Sequence, residues 1–245
     1  MEARQHLISV ESLQDKLEDA TCRIIDCRFD LADPGAGESA YLQAHVPGAV
    51  YAHLDRDLSS APVTDCGRHP MPAPAQIKET FERLGVSRQT SVVVYDDQGG
   101  MIAARAWWML RYIGHRDAAL LNGGWRAWVA AGAPTKGSEE RCPRGVLSIA
   151  SNASRLVRHS ELGDEPMLVD AREPRRFRGE IEPIDPRAGH IPGAVNHYFA
   201  NNLDESKQFL SPEQIKDGFR QSLGRLPDEQ TVHYCGSGVS ACHNI

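Results

Sequence analysis

The sequence predicts an α/β protein of two similar domains, each a parallel sheet flanked by helices. Three observations support this prediction: a pair of motifs that occurs twice, a set of short apolar segments, and helical patterns between those segments. The chain has 245 residues, of which 41% are hydrophobic, enough to form two modest cores. We therefore expect two consecutive domains of related structure.

An internal repeat gives the approximate extent of each domain. In the first half the segment 23–28 (RIIDCR) precedes 45–50 (HVPGAV), and in the second half 167–172 (MLVDAR) precedes 190–195 (HIPGAV) at nearly the same spacing. A stretch rich in Gly, Ser, Pro and charged residues separates the two copies, as is typical of a linker. The predicted bounds are 1–135 for the first domain, 136–154 for the linker and 155–245 for the second domain.

Five short apolar segments, each bounded by turn residues or helical patterns, are predicted to be buried parallel strands. They are residues 23–26, 91–95, 118–121, 167–170 and 231–234.

Helical patterns lie between these strands. One covers 75–84 and ends at Gly85, and another covers 211–223 and ends at Gly224. Ser211 and Pro212 are favourable residues for the N-cap and the first helical turn of the second helix. The tryptophans of the first domain have helical spacing, and we expect them to be core residues; they are Trp107, Trp108, Trp125 and Trp128.

The loop after the last predicted strand carries a candidate nucleophile. Cys235 stands where strand 231–234 runs into the glycine-rich segment 236–240 (GSGVS), with a helix predicted to begin near Val239. Small residues allow successive backbone N–H groups to turn inward, and such a nest stabilises a thiolate. In the first half Asp96 stands at the equivalent place, so we expect that half to be a non-catalytic scaffold.

The other cysteines give no sign of a metal or disulfide site. The six cysteines include no C-x-x-C pair, so we expect reduced thiols and neither a zinc site nor a redox dithiol. Small, partly buried side chains are the favoured interpretation for Cys22, Cys27, Cys66 and Cys142. Cys242 is favoured as a buried core thiol, with a thiol that resolves a modified Cys235 as the alternative.

Composition excludes several classes of partner and predicts a location. The formal net charge of −6 comes from interspersed charges without a basic stripe, so no nucleic-acid partner is expected. No apolar run is long enough to cross a bilayer and the N-terminus lacks an apolar signal core, so we expect a cytoplasmic protein without a membrane partner. Helix, strand and helix follow Asp96, but only a short segment follows Cys235, so we expect a truncated and less stable second domain.

These motifs together resemble the rhodanese family, in the tandem form of the thiosulfate and 3-mercaptopyruvate sulfurtransferases. The resemblance covers the chain from Ser9 onward and rests on 122–125 (NGGW), 176–179 (RFRG), 235–244 (CGSGVSACHN) and the two HxPGAV segments. It implies two rhodanese-like domains, the first inactive, with a catalytic loop at their interface; the short segment after Cys235 indicates that the second is incomplete. It also implies that a sulfane sulfur passes from 3-mercaptopyruvate or thiosulfate, through a Cys235 persulfide, to cyanide, a thiol or a thioredoxin-like protein thiol, without a metal or other cofactor.

The resemblance also assigns the donor-binding residues. Arg176 matches the arginine that binds the donor anion, Arg178 would share its face if the segment is extended, and Arg187 is a weak candidate. In the loop, Gly236 and Gly238 permit the curved backbone and Ser237 offers a hydroxyl, with Val239 and Ser240 completing the substrate loop.

Two residues of the first domain are expected to reach the same site. The resemblance implies that Asp55 polarises Ser237 and that His69 binds the donor carboxylate or a water. His45 and His190, in contrast, are predicted to satisfy local backbone groups in turns.

The neutral loop favours 3-mercaptopyruvate over the dianion thiosulfate as donor. A cysteine phosphatase or arsenate reductase would need an arginine where Ala241 stands, so that reaction is disfavoured. A truncated, non-catalytic sulfur carrier or binding module stays open as the alternative.

Overall fold

The computed structural model describes residues 6–62, 67–151, 155–158, 161–162 and 166–245. Within these residues the chain forms one parallel sheet in each half, with helices beside both sheets. The predicted α/β class and the two related halves are therefore confirmed. The exact domain and linker bounds stay a prediction.

The first half is built on a five-stranded sheet. Its strands are β1 (Leu7–Ile8), β2 (Cys22–Asp26), β3 (Val50–Tyr51), β4 (Ser91–Tyr95) and β5 (Ala118–Leu121). They pair in the order β1-β5-β4-β2-β3, and every pair is parallel. Parallel neighbours require crossover connections, which here contain helices. The helices of this half are α1 (Val10–Gln14), α2 (Ala36–Gln43), α3 (Pro74–Arg83), α4 (Ala103–Tyr112) and α5 (Gly124–Ala130).

Strand β4 separates two apolar cores. Val92 and Val94 belong to one buried cluster, whereas Val93 and Tyr95 belong to the other. Successive side chains of a strand point to opposite faces of the sheet, so an uninterrupted apolar segment can fill both cores. This is why the apolar segments of the sequence predicted the central strands correctly.

The tryptophans fill the same cores. Trp107, Trp108 and Trp128 are buried, and Trp125 is half-buried with its ring stacked on Tyr95. Their predicted role in packing is confirmed.

The second half has a three-stranded parallel sheet. Its elements are β6 (Met167–Asp170), α6 (Pro174–Phe177), β7 (Val195–Asn196), a 3₁₀ helix (Phe199–Asn202), α7 (Pro212–Leu223), β8 (Thr231–Tyr234) and a second 3₁₀ helix (Ser240–Asn244). The strand order is β7-β6-β8. Strand β8 was expected to be buried, but its residues are only half-buried because it lies at an edge of the described sheet.

The helix ends agree with the capping signals in the sequence. The Ser211 hydroxyl accepts the backbone N–H of Gln214, and α7 ends at Gly224, which adopts φ 75°. Helix α3 begins one residue before the predicted 75–84 and ends one residue earlier. The helix expected near Val239 is the 3₁₀ helix from Ser240 onward. Among the described helices, none combines the length and the apolar character that crossing a membrane requires.

The repeated motif builds the same buried ion pair twice. The Asp26 carboxylate binds the Arg28 guanidinium at 2.6 Å, and that guanidinium donates to the Ala44 carbonyl at 2.6 Å. In the second half the Asp170 carboxylate binds Arg172 at 2.7 Å, and Arg172 donates to the Gly189 carbonyl at 2.6 Å. Each pair joins the end of a strand to the HxPG turn, so the motif is structural in both halves.

The turn histidines have equivalent partners as well. Nδ1 of His45 lies 2.7 Å from the Tyr41 carbonyl, and Nδ1 of His190 lies 2.7 Å from the Phe177 carbonyl. Both histidines satisfy local backbone groups, as predicted.

The end of the second half is packed on the first half. Val239 and Cys242 are buried in the same apolar cluster as residues of α4, including Trp108. Nε2 of His243 lies 2.9 Å from the Gly99 carbonyl, to which it donates, because a carbonyl only accepts. The loop that carries Cys235 is therefore held between the two halves.

Candidate active site

Cys235 lies at the C-terminal end of β8, where the chain turns sharply. Its Sγ accepts the backbone N–H of Gly238 at 3.1 Å and, more weakly, that of Ser237 at 3.5 Å. Gly238 adopts φ 76°, a left-handed conformation that favours glycine and that brings these N–H groups toward the sulfur. The nest predicted from the glycine-rich segment therefore forms around Cys235, where it can stabilise a thiolate or a persulfide anion.

The equivalent loop of the first half is filled by its own carboxylate. Asp96 accepts backbone N–H groups through both oxygens, at 2.7 to 2.9 Å, and the donors are Gln98, Gly100, Ile102 and Ala103. The side chain is fully buried. A carboxylate thus fills this nest, which gives a physical basis for the expectation that this half is a non-catalytic scaffold.

Cys235 faces a cavity of about 310 Å³ between the two halves. Four predicted loop residues line it, namely Gly236, Ser237, Val239 and Ser240. Gly238 was predicted to bind substrate but does not line this cavity; its N–H faces the Cys235 sulfur instead. Apolar side chains complete the wall, and they include Leu31, Leu54, Met101, Ile184, Tyr198 and Phe199.

A hydrogen-bonded chain runs from the loop into the first half. Nδ1 of His69 lies 3.0 Å from Oγ of Ser237, and Nε2 of His69 lies 3.1 Å from Oδ1 of Asp55. The Asp55 carboxylate only accepts, so Nε2 carries the proton and Nδ1 is free to accept from the Ser237 hydroxyl. The expected influence of Asp55 on Ser237 therefore passes through His69. His69 was expected to bind the donor carboxylate or a water, but both of its ring nitrogens already have hydrogen-bond partners within the protein.

Burial keeps His69 in its neutral form. Its side chain is buried, and this burial lowers the pKa of the imidazole from its usual 6.5, while the neighbouring Asp55 carboxylate partly opposes the shift. A neutral imidazole with Nδ1 directed at a hydroxyl can receive a proton from that hydroxyl. Ser237, His69 and Asp55 together can therefore move a proton at Ser237 Oγ.

Arg176, the arginine expected to bind the donor, lines the cavity from helix α6. Its guanidinium binds Glu182 at 2.7 Å and Asp185 at 2.8 Å, and the side chain is only 13% exposed. The condition for Arg178 to share the face of Arg176 is not met, because residues 174–177 are helical rather than extended. On a helix, residues two apart do not share a face, and Arg178 instead pairs with Glu180 on the surface.

Arg187, the weak candidate, does not join the site. Its side chain is exposed, it does not line the cavity, and within the described residues it forms no ion pair.

Two charged residues that were not predicted, Arg68 and Asp185, lie beside Arg176. Arg68 lines the cavity and pairs with the Asp185 carboxylate. Burial lowers the pKa of the Arg68 guanidinium, and the positive charge of Arg176 lowers it further. Its position directly before His69 was the one signal available in the sequence.

Arg105 was also missed, because it lies in a helical pattern with no site motif. Its guanidinium is buried and donates to the carbonyls of Gly238 at 3.2 Å, His69 at 3.1 Å and Leu58 at 3.3 Å. It thus joins the Cys235 loop to the segment that carries His69. We regard it as a positioning residue.

The remaining cysteines behave as structural residues. Cys242 is buried, its thiol donates to the Gly238 carbonyl at 3.3 Å, and burial raises its pKa to about 11. A thiol with such a pKa is poorly suited to resolve a persulfide at neutral pH. Cys22 and Cys27 are buried and Cys142 is half-buried, as predicted, whereas Cys66 lies outside the described residues.

Comparison with known proteins identifies similar chains and folds. A rhodanese-like domain model matches residues 9–131 and 153–244. The chain is 44% identical to a "probable 3-mercaptopyruvate sulfurtransferase" of Pseudomonas aeruginosa, covering 98% of this chain and 87% of that protein. It is 33% identical to the thiosulfate sulfurtransferase of Gallus gallus, covering 91% of this chain and 78% of the relative. The structure of 3-mercaptopyruvate sulfurtransferase from Leishmania major superposes with a TM-score of 0.89 at 31% identity, covering 98% of this chain and 68% of that one.

Proposed function

The chain belongs to the rhodanese family and is a sulfurtransferase, and on this premise we propose that it transfers sulfur from 3-mercaptopyruvate through a persulfide on Cys235. The observation that carries the proposal is the Cys235 sulfur in its N–H nest, facing a cavity that also contains Arg176. The nest supplies stabilisation for an anionic sulfur, and the arginine supplies a partner for the donor carboxylate.

In the first step the Cys235 thiolate attacks the donor sulfur. The S–S bond forms as the C–S bond breaks, and the electron pair of that bond leaves with carbon as the enolate of pyruvate. The proton of the donor thiol must then reach that carbon, so that the products are pyruvate and the anionic Cys235 persulfide. The Ser237 hydroxyl can take the thiol proton while passing its own to His69 Nδ1, and the reverse transfer delivers a proton to the enolate.

Asp55 assists this proton transfer through its contact with His69 Nε2, on the opposite side of the ring from Ser237. When His69 Nδ1 accepts a proton the ring becomes a cation, and the carboxylate 3.1 Å from Nε2 stabilises that charge. The imidazole also keeps its orientation, because Nε2–H donates to Asp55 throughout.

In the second step an acceptor regenerates the thiolate. A thiolate or cyanide attacks the outer sulfur, the persulfide S–S bond breaks, and its electron pair returns to Cys235 as the thiolate. The acceptor leaves as a persulfide or as thiocyanate. The partners in this proposal are therefore a small-molecule sulfur donor and a thiol or cyanide acceptor, including a thioredoxin-like protein thiol.

The preference for 3-mercaptopyruvate over thiosulfate follows from the same residues. Transfer from thiosulfate releases sulfite and moves no proton, so it has no use for Ser237 and His69. A proton-transfer chain at the cavity therefore favours the thiol donor.

We also place the protein in the cytoplasm. The cysteines that the structure describes are free thiols, which supports a reducing compartment. The net charge of −6 is consistent with the absence of a nucleic-acid partner.

The experiment that tests this function measures thiocyanate formation from 3-mercaptopyruvate and cyanide. Cys235→Ser should abolish it, because the persulfide has no sulfur on which to form, whereas the matched control Cys242→Ser should keep most of it. Thiocyanate formation by Cys235→Ser would contradict the mechanism. A wild-type protein that forms none would favour the non-catalytic carrier or binding module.

A further inference from the structure

The two arginines at the cavity are already paired with one carboxylate. Arg68 and Arg176 both bind Asp185, one through each carboxylate oxygen. We propose that Asp185 is a specificity-determining residue: it competes with the donor for both guanidinium groups and so disfavours dianionic donors relative to monoanionic ones. This inference rests on the proposed function and concerns the choice of donor.

The Asp185 carboxylate lies against the catalytic loop. A β-carbon built on Gly236 would stand 2.6 Å from Oδ2 of Asp185 and 3.2 Å from Nη2 of Arg68. Gly236 is the residue directly after Cys235, so the carboxylate lies next to the nucleophile's loop. Only 18% of the Asp185 side chain is exposed, which limits how far water screens its charge.

The backbone holds Asp185 in this place. The N–H groups of Ile184 and Asp185 both donate to Oε1 of Glu182, at 3.1 and 2.9 Å. Glu182 is itself fixed by Arg176 and by Arg172, the latter at 3.3 Å. The turn 182–185 is thus held in place by ion pairs with the arginines whose charge its carboxylates neutralise.

The arginines at the cavity are all paired with carboxylates. The cations are Arg68, Arg172 and Arg176, and the carboxylates that pair with them are Asp170, Glu182 and Asp185. Glu173 adds a further carboxylate to the lining. Unlike a site with an unpaired arginine, this cluster offers an incoming anion no net positive charge. A donor anion must therefore displace Asp185 from a guanidinium or lie beside its carboxylate.

In both arrangements the Asp185 carboxylate stays near the donor, so the donor with more charge meets the stronger repulsion. Coulombic repulsion from Asp185 is proportional to the donor charge, so thiosulfate, a dianion, meets about twice the repulsion that 3-mercaptopyruvate meets. The charge of Asp185 then determines how strongly the site discriminates between the two donors. The neutral segment 236–238 of the loop adds no positive charge that would offset it.

The test compares Asp185→Asn with Glu180→Gln. Both variants remove one negative charge from the same segment, but the Glu180 side chain pairs with Arg178 on the surface, away from the cavity. For Asp185→Asn we expect the KM to fall about tenfold for 3-mercaptopyruvate and about a hundredfold for thiosulfate, a roughly tenfold change in their ratio. Glu180→Gln should leave the ratio unchanged.

A binding measurement separates this inference from the proposed function. In the Cys235→Ser background no sulfur is transferred, and calorimetric titration with thiosulfate and with 3-mercaptopyruvate gives the two affinities directly. Adding Asp185→Asn should tighten both, thiosulfate more strongly, even if the wild-type protein transferred no sulfur at all. Unchanged or weaker binding of both donors would overturn the inference, since Asp185 would then merely position the arginines.

Discussion

His69 connects two residues of the candidate site that the sequence placed far apart. Ser237 and Asp55 come from different halves, and their link is an imidazole whose nitrogens lie 3.0 and 3.1 Å from them. Burial favours the neutral ring, which leaves Nδ1 able to accept a proton. The contribution of Ser237, His69 and Asp55 to catalysis should therefore depend on whether the donor carries a proton that must move.

Replacing His69 tests that dependence. His69→Asn keeps an amide near the Nδ1 position but cannot carry a proton, so turnover of 3-mercaptopyruvate should fall about a hundredfold while turnover of thiosulfate changes little. Steady-state kinetics with both donors give the answer. Asp55→Asn is the comparison variant. Its turnover of 3-mercaptopyruvate should fall by less, because Asp55 only stabilises the imidazolium and does not itself receive the proton. Equal losses with the two donors would show that His69 has a structural role alone.

Residues with a local signal or a match to the family, such as His69, could be predicted, and residues that only distant contacts define could not. Cys235 has a strand before it and glycines after it, and Arg176 belongs to a motif, so both were found. Arg68 and Asp185 meet across the two halves, and apart from the position of Arg68 directly before His69 no local pattern marks either residue. Arg178 does not share the face of Arg176, because a four-residue helix, α6, stands where an extended segment was the condition for it.

At the scale of elements, helix α4 positions the catalytic loop. Its residue Arg105 donates to the Gly238 carbonyl and to two carbonyls of the first half, so one buried guanidinium joins three segments. Val239, directly before the 3₁₀ helix, and Cys242 within it are buried in one apolar cluster with residues of α4. The position of the Cys235 sulfur therefore depends on contacts that the second half cannot make alone.

Loss of the Arg105 guanidinium should loosen the loop. We expect Arg105→Met to lower kcat for both donors by about tenfold to a hundredfold, with a smaller effect on KM, because the donor arginines are untouched. Arg105→Lys, which keeps one charged donor, should restore part of the loss. The control is Arg111→Met, a residue of the same helix whose guanidinium lies over the Trp107 ring at 5.1 Å. Unchanged kcat in Arg105→Met would remove its positioning role.

At the scale of the whole molecule, a buried histidine at the contact between the two halves makes the stability of the protein depend on pH. His243 donates from Nε2 to Gly99, and its Nδ1 faces the Asn202 amide nitrogen at 3.4 Å, so a second ring proton would meet a donor. Burial lowers the pKa of His243 to about 4, and burial also lowers that of His233 to about 4. In the unfolded chain the usual value is about 6.5.

The sign of the pH dependence follows from these values. Between pH 6.5 and 4 the unfolded chain binds more protons than the folded one, so stability is fully present above about 6.5 and is lost as the pH falls toward 4. For His243 the loss is on the order of 3 kcal/mol. The melting temperature should therefore fall across this range, and His243→Gln should flatten the slope. Phe209→Leu, which removes the ring stacked on His243 at 4.6 Å, should lower stability at every pH and keep the slope. An unchanged slope in His243→Gln would contradict the assignment.

The fold of the molecule was predictable because its repeat is built from local signals. Each half has an aspartate and an arginine two residues apart that form a buried ion pair at the end of a strand, so the motif appears in the sequence twice. The resemblance placed the catalytic loop at the interface of the halves, but the contacts that hold it there were not predictable. They depend on backbone carbonyls such as those of Gly99 and Gly238, which have no residue-type signature. The candidate site lies at that contact, so the sequence identified its nucleophile but only part of its environment.

The most direct test of sulfur transfer through Cys235 is the intact mass of the protein after exposure to 3-mercaptopyruvate and, separately, to thiosulfate, followed by mapping of the Cys235 peptide. We expect a gain of one sulfur atom on that peptide, removed by cyanide and formed more readily from 3-mercaptopyruvate. A protein that gains no sulfur from either donor, or gains it on another cysteine, would contradict the proposed mechanism.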